Sequence, residues 1–320
     1  MIHTEPLTVP WGLYSLSFRL RNDFSWNSHP GSTLRGIWGN ALRQLACKNR
    51  DMARCEGCHA AADCVYAEVF APRFHATVEQ PDPFVPYVIE PPRGRDSWKQ
   101  GELMSFKWIV FKKALKQLPI LLHAWVLAFK TGIGTERIRG DFVSVELLQD
   151  DALFTPEHAS FFEPQLWVPA IEAGAIQLNH ITPVRIERNK RPLRPEELTP
   201  GEFMNSLLRR MQHCFSGNAH PDLGAIYPEY LEVVQRVSYR GELIWEDELR
   251  YSFSQHQKIP LGGVMGVWQW SGQPDDIRLL TPILYLGQWL HAGKETVFGL
   301  GQYRMDVLES GAEAAHHELI

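Results

Sequence analysis

Four of the five cysteines fall within eighteen residues, as Cys47-x7-Cys55-x2-Cys58-x5-Cys64. In a chain kept reduced, clustered thiols more often bind a metal than pair as disulfides. Four thiolates satisfy tetrahedral Zn²⁺ and leave no open position, so the spacing predicts a structural zinc site. An iron–sulfur cluster or no metal at all are the alternatives, and His59 could replace one thiolate. Cys214 shares an apolar helical stripe with Met204, Leu207, Leu208 and Met211 and reads as core.

A second pattern lies near the C-terminus, His291-Ala-Gly-Lys-Glu-Thr-Val-Phe-Gly-Leu-Gly-Gln-Tyr303. Gly293, Gly299 and Gly301 would let backbone N–H groups approach a phosphate, with Lys294 and Thr296 adding donors. The order helix–loop–strand, with the lysine ahead of the later glycines, is not that of a P-loop. A tight structural turn explains the same spacing.

The elements that would position these groups follow from periodicity. Gly12 to Arg21 alternates, Leu13, Ser15, Ser17 and Arg19 against Tyr14, Leu16, Phe18 and Leu20, as a half-buried strand does. Ser32 or Thr33 can cap a helix with apolar residues at Leu34, Ile37, Trp38, Ala41, Leu42, Leu45 and Ala46. Arg35 and Arg43 lie on its other side, within about 80° of each other. Gly36 and Gly39 sit mid-helix at up to ~1 kcal/mol each, which implies close packing against the backbone. After the cysteine segment and a Pro-rich stretch (Pro72 to Pro92) come a strand (Leu103 to Val110), a helix (Phe111 to Phe129) and a strand (Ile138 to Leu148).

A second unit repeats the theme. It has a strand at Ile176 to Arg188, a helix at Pro200 to Phe215, and a strand pair over Val234 to Phe253 turning at Arg240-Gly241. Val264 to Trp270, a helix from Ile277 to Leu290 and a strand from Gln302 to Leu308 complete it. The expected fold class is α+β, two ferredoxin-like (RRM-like) domains in tandem. The first covers residues 1–160 with the four-cysteine insertion at 47–64, and the second covers 170–320 with the Gly-rich loop at 292–301. The boundary is placed between Asp150 and Gly174.

The whole chain fits this division. At 320 residues it exceeds the ~250 at which single cores stop growing. Hydrophobic residues make up 44% and charged residues 22%, as in ordinary globular proteins. Met1 to Trp11 lacks the pattern of a signal peptide, and Lys112, Lys113, Lys116, Pro119 and Lys130 interrupt the most apolar stretch, Ile109 to Phe129. A cytoplasmic protein with no membrane span is expected. The net charge of −5 hides segregation: Arg93 to Arg139 holds ten Lys/Arg against three Asp/Glu, and Arg35 to Arg54 five against one. Screening beyond ~10 Å makes such local runs, rather than the total, relevant to phosphate binding. Solvated helix faces would show the same runs.

The Gly-rich tail and the cysteine segment join Ser28-His-Pro-Gly-Ser-Thr-Leu-Arg-Gly-Ile-Trp-Gly-Asn-Ala-Leu-Arg43, Cys64-Val-Tyr-Ala-Glu-Val-Phe70 and Arg250-Tyr-Ser-x5-Lys-Ile-Pro-Leu-Gly-Gly-Val-Met-Gly266. In this order they resemble the CRISPR-associated endoribonucleases that process precursor crRNA, members of the RAMP superfamily. The resemblance runs from about Tyr14 to Val307. It implies two ferredoxin-like domains, CRISPR repeat RNA as substrate, and other CRISPR effector subunits as further partners. It also implies metal-independent cutting that leaves a 2′,3′-cyclic phosphate and a 5′-hydroxyl.

Such a reaction has the RNA's own 2′-hydroxyl attack phosphorus, helped by a base, an acid for the 5′-oxygen and cations for the phosphorane. His29 is the expected base, in a loop just before a helix N-terminus, where the dipole favours phosphate and disfavours imidazolium. Arg35 would neutralise the scissile phosphate, and Arg43, Lys48 and Arg50 would follow the RNA backbone. His291 is the second choice as acid, and His29 could equally be a loop residue before Pro30. His123 reads as core, and His316 and His317 carry no role. Trp38, Trp125 and Trp289 also read as core, whereas Trp26 and Trp98, in polar loops, could stack on bases. The rival reading is a non-catalytic RAMP-type subunit that holds crRNA as a scaffold. A zinc-stabilised interaction module is more distant, and no His-x-x-x-His or paired carboxylates suggest a metallohydrolase.

Overall fold

The computed structural model describes residues 7–52, 55–72, 84–148, 161–164, 166–168, 171–215, 223–247, 249–252 and 257–308. Most of the expected boundary segment, Arg54, Phe253, His316 and His317 lie outside these residues.

In the first half, strand β1 (Trp11–Leu20) leads to helix α1 (Pro30–Ala46) and a short helix α2 (Val65–Val69). Strands β2 (Tyr87–Glu90) and β3 (Leu103–Phe111), helix α3 (Leu118–Thr131) and strand β4 (Gly140–Leu147) follow. The sheet runs β2-β3-β1-β4, all antiparallel. With its helices this is the βαββαβ ferredoxin-like arrangement.

The second half repeats it. Strand β5 (Ala175–Val184) precedes helices α4 (Pro200–Phe215) and α5 (Leu223–Val234). Strands β6 (Ser238–Glu246) and β7 (Gly263–Ser271), helix α6 (Pro274–Leu290) and strand β8 (Tyr303–Leu308) close it. Its sheet order is β6-β7-β5-β8, the same permutation.

Three expectations need correction. The first sheet has four strands where the sequence suggested three, because β2 lies in the Pro-rich stretch. Arg240-Gly241 is no hairpin turn: both sit inside β6, paired with Gln269 and Trp268 of β7. Gly241 is there because a Cβ would come within 2.3 Å of the Val267 carbonyl oxygen. Helix α5 has no counterpart among the expected elements.

The alternation of β1 divides its side chains between two cores. Tyr14, Leu16, Phe18 and Leu20 face α1 and α3, where Trp38 stacks on Trp125 at 5.5 Å and donates Nε1–H to the Leu121 carbonyl at 3.1 Å. Trp11 and Leu13 face the other way. With Val88, Ile109 and Phe111 they join the core built on Phe203, Trp268, Trp270 and Tyr303 of the second half. The back of the first sheet thus packs directly into the second core. That packing fixes how the Gly-rich loop meets α1.

Candidate functional site

Helix α1 begins three or four residues earlier than the Ser32 or Thr33 cap its sequence suggests. Pro30 occupies the first turn, where its missing N–H costs nothing, and His29 is the N-cap. Nδ1 of His29 accepts from the Ser32 N–H at 3.1 Å, and the His29 carbonyl accepts from the Thr33 N–H at 3.1 Å. The Ser28 and Thr33 hydroxyls lie 2.9 Å apart. With Nδ1 accepting, the neutral ring carries its proton on Nε2. In this arrangement the cap occupies one nitrogen's lone pair and a proton the other, so the ring expected to act as base stands here as a donor. His29 can donate; it can accept a proton only by giving up the cap.

The Gly-rich loop closes against this helix end. A Cβ on Gly31 would stand 1.9 Å from the Phe298 carbonyl oxygen, so only glycine lets the two backbones touch. The Phe298 ring lies edge-on to His29 at 6.2 Å. On its other side is Arg35, 5.6 Å from the Phe298 centroid and 4.0 Å over Phe70. Arg35 donates from Nε to the Tyr87 hydroxyl at 2.9 Å and from a terminal nitrogen to the Phe70 carbonyl at 3.3 Å. His29, Arg35 and the loop are thus brought together around Phe298. Sequence reasoning did not single out Phe298, Phe70 or Tyr87.

The loop glycines have positive φ, 85° at Gly293, 91° at Gly299 and 75° at Gly301. Their N–H groups are spent inside the protein, to the Ser206 hydroxyl (3.0 Å), the Thr296 carbonyl (2.9 Å) and the Pro183 carbonyl (3.0 Å). The Lys294 N–H goes to the Arg185 carbonyl at 2.8 Å. The expected phosphate cradle of backbone donors is thereby replaced by a packed turn. Thr296 is buried, at 2% exposure, and only the Lys294 side chain reaches solvent freely.

His291 is not placed as an acid. It caps α6 at φ 60°, is fully buried, and has both nitrogens engaged: Nδ1 with the Leu300 carbonyl (2.9 Å) and Nε2 with Glu90 Oε1 (3.0 Å). Nδ1 must donate to a carbonyl, so one proton lies between Nε2 and the carboxyl group. Burial pushes the Glu90 carboxyl up, but His291 against it, with Lys107 and Arg93 beyond, holds it below its ordinary value. Gln302 also donates to Glu90 Oε1 at 3.1 Å. The pair joins β2 of the first half to the loop of the second.

The remaining expected residues are elsewhere. Lys48 and Arg50 are exposed just past the C-terminal end of α1, about 25 Å of helix from His29. Arg43 donates to the Met52 carbonyl and, with Cys47, Cys55, Cys58 and Cys64, lines a small cavity. Among the described residues no His, Cys, Asp or Glu group is drawn together tightly enough to form a ready metal site. His59 is exposed and outside the cavity lining. Trp98 is buried, at 3% exposure, and packs edge-on against Trp26 at 5.8 Å, so this cluster is a small core, not a stacking platform. Among the described residues no helix is long and apolar enough to cross a membrane.

Residues 178–303 match the family model for the CRISPR-associated endoribonuclease Cas6, and residues 9–165 match a model described as an N-terminal domain. A Cas6 product complex superposes with a TM-score of 0.60 at 12% identity, covering 92% of this chain and 99% of that one. Thermus thermophilus Cas6 gives 0.51 at 13% identity, covering 93% and 98%. A Cas6 substrate mimic complex gives 0.51 at 14% identity, covering 93% and 100%. No curated protein matches the chain. At such identities the structural likeness is one of fold, and the same βαββαβ unit recurs twice here. The match to the CRISPR-associated endoribonuclease Cas6 model is thus carried by residues 178–303 of the second half, while the likeness of fold extends over nearly the whole chain.

Proposed function

We propose that the protein is an endoribonuclease that cuts CRISPR repeat RNA without a metal, yielding a 2′,3′-cyclic phosphate and a 5′-hydroxyl. The observation that carries this reading is the meeting of His29, Arg35 and the Gly-rich loop at one helix N-terminus, in a chain whose second half matches the Cas6 model. A helix N-terminus attracts a phosphate through its dipole. There, His29 donates from Nε2 to an oxygen of the scissile phosphate, and Arg35 offsets the charge that develops on the phosphorane. Tyr87 and Phe70 hold the guanidinium in place. As the 2′-oxygen bonds to phosphorus its proton passes to water, and as the bond from phosphorus to the 5′-oxygen breaks that oxygen takes the Nε2 proton of His29. Lys294, Lys48 and Arg50 remain exposed cations for the RNA backbone, whereas Arg43 is turned toward the cysteine segment. A zinc ion held by that segment would take no part in this chemistry. Partners of this enzyme are the repeat RNA and the mature crRNA it leaves, with other CRISPR proteins a further possibility raised by a Cas6-RT-Cas1–Cas2 complex of the same fold.

The test is cleavage of a CRISPR repeat RNA in EDTA with identification of the product ends. Cyclic phosphate ends, lost in His29→Ala while RNA binding persists, are expected. Tight binding with intact RNA from the wild type would favour the scaffold reading. Cleavage that requires a divalent metal would overturn the mechanism.

A further inference from the structure

The four cysteines have no role in the cutting chemistry proposed above, yet their segment is built with care. Cys47 caps the C-terminal end of α1 and Cys64 caps the N-terminal end of α2. Cys55 and Cys58 are joined by a turn, the Cys58 N–H donating to the Cys55 carbonyl at 3.1 Å, with Gly57 at φ 72°. All four line one cavity of about 10 Å³, room for a single atom-sized occupant. Among the described residues, the hydrophobic cluster around the cysteines consists of Ala61, Cys64 and Ala67, with Cys58 and Tyr66 beside it, while Val69 just beyond joins the larger first core. So small a core cannot order a segment of this length by burial, and small units of this kind are usually stapled by disulfides or a metal. The cysteines are free rather than bridged.

We infer that Cys47, Cys55, Cys58 and Cys64 bind one structural zinc ion in this cavity, pinning the insertion to the end of α1. Four thiols complete a closed tetrahedral set with no position left for water or substrate. As thiols, Cys47 donates Sγ–H to the Asn49 carbonyl (3.3 Å) and Cys64 to the Ala46 carbonyl (3.6 Å). On loading, each thiol releases its proton to solvent: Zn²⁺ and four S–H groups become a tetrathiolate zinc centre of charge −2 and four protons. The four Sγ atoms then draw in to about 2.3 Å from the ion. Arg43, which also lines the cavity, offsets that charge, a reason for an arginine to turn here rather than toward RNA. The inference does not depend on the RNA-cleaving reading.

The experiment is metal analysis of the full chain, purified without chelators or metal-affinity steps, beside Cys214→Ser and the double variant Cys55→Ser/Cys58→Ser. About one zinc per chain is expected in the wild type and in Cys214→Ser, and none in the double variant. Cobalt loading of the wild type should give the visible thiolate-to-cobalt band of a tetrahedral site. Should the double variant fail to fold, titrating wild-type thiols with a mercurial against a zinc indicator decides the matter. Four thiols unmasked per zinc released supports the site. No zinc even after incubation with the metal, iron with acid-labile sulfide in its place, or zinc retained in the double variant would each overturn it.

Discussion

Replacing His29 by Asn separates two roles that one ring combines. Asn is among the best N-caps and can accept the Ser32 N–H as the imidazole does, but it offers no group that titrates near neutrality. His29→Asn should therefore keep the stability of the wild type and lose about 10²–10⁴-fold in the cleavage step, the usual worth of a proton-transferring side chain. His29→Ala should lose the same activity and about 1 kcal/mol of stability as well. Single-turnover cleavage beside urea unfolding reads both, and an active Asn variant would reduce His29 to a cap. His180 shows the opposite use of an imidazole. It is buried on β5, stacked on Phe203 at 5.9 Å, and burial lowers its pKa from 6.5 to about 4 against a backbone contact at Val264. The unfolded chain then binds the proton first, so this group's stability is present above pH 6.5 and is lost as pH falls toward 4. From pH 7 to pH 5 the wild type should lose about 2 kcal/mol that His180→Leu does not. Parallel pH dependence in the two proteins would refute it. The places of His29 and Arg35 at the start of α1 were legible in the sequence because a polar loop before an amphipathic stripe marks a helix N-terminus. Glu90 was not, because its partner is two hundred residues away and no local pattern records that distance.

Among elements, α1 and the Gly-rich loop were the most legible and the most misread. Their positions followed from periodicity and glycine spacing, which are local. What the glycines are for depends on what lies across from them. Gly31 and Gly36 make the contrast measurable. A Cβ at Gly31 meets the Phe298 backbone, whereas one at Gly36 meets nothing within 4 Å. Gly31→Ala should cost about 1–3 kcal/mol through overpacking and weaken cleavage by displacing the loop. Gly36→Ala should be neutral or stabilising by up to ~1 kcal/mol through helix propensity. Thermal unfolding of the two variants tests this, and equal stability would mean that the loop yields at no cost. The elements that escaped the sequence did so for physical reasons. Strand β2 is four residues long between prolines, too short for alternation to show. Helix α5 carries Pro228, which reads as a break unless the packing of α4 and α6 around it is known.

At the scale of the whole molecule, the two ferredoxin-like halves are tied by a shared core and by the buried contact of Glu90 with His291. Removing one partner of such a pair leaves the other desolvated, typically at about 3–5 kcal/mol, while removing both is far less costly. Glu90→Leu and His291→Leu should each lower stability by several times the cost of an ordinary surface change, and the double variant should lose less than their sum. A coupling of about 0.5–3 kcal/mol is expected from a double-mutant cycle in urea. Glu90→Gln should be tolerated far better, because an amide can still pair with a neutral imidazole whose Nδ1–H holds the Leu300 carbonyl. Cleavage by the Leu variants should fall although both residues are buried, since the pair seats the loop that carries Phe298 against His29. Because the Glu90 carboxyl is held below its ordinary value, its contribution is present at neutral pH and lost only below the carboxylate range. The cycle is therefore best run at pH 7, clear of that range and with His180 neutral. Strict additivity there would mean that hydrophobic packing alone joins the halves, and that the site at α1 is set without this contact.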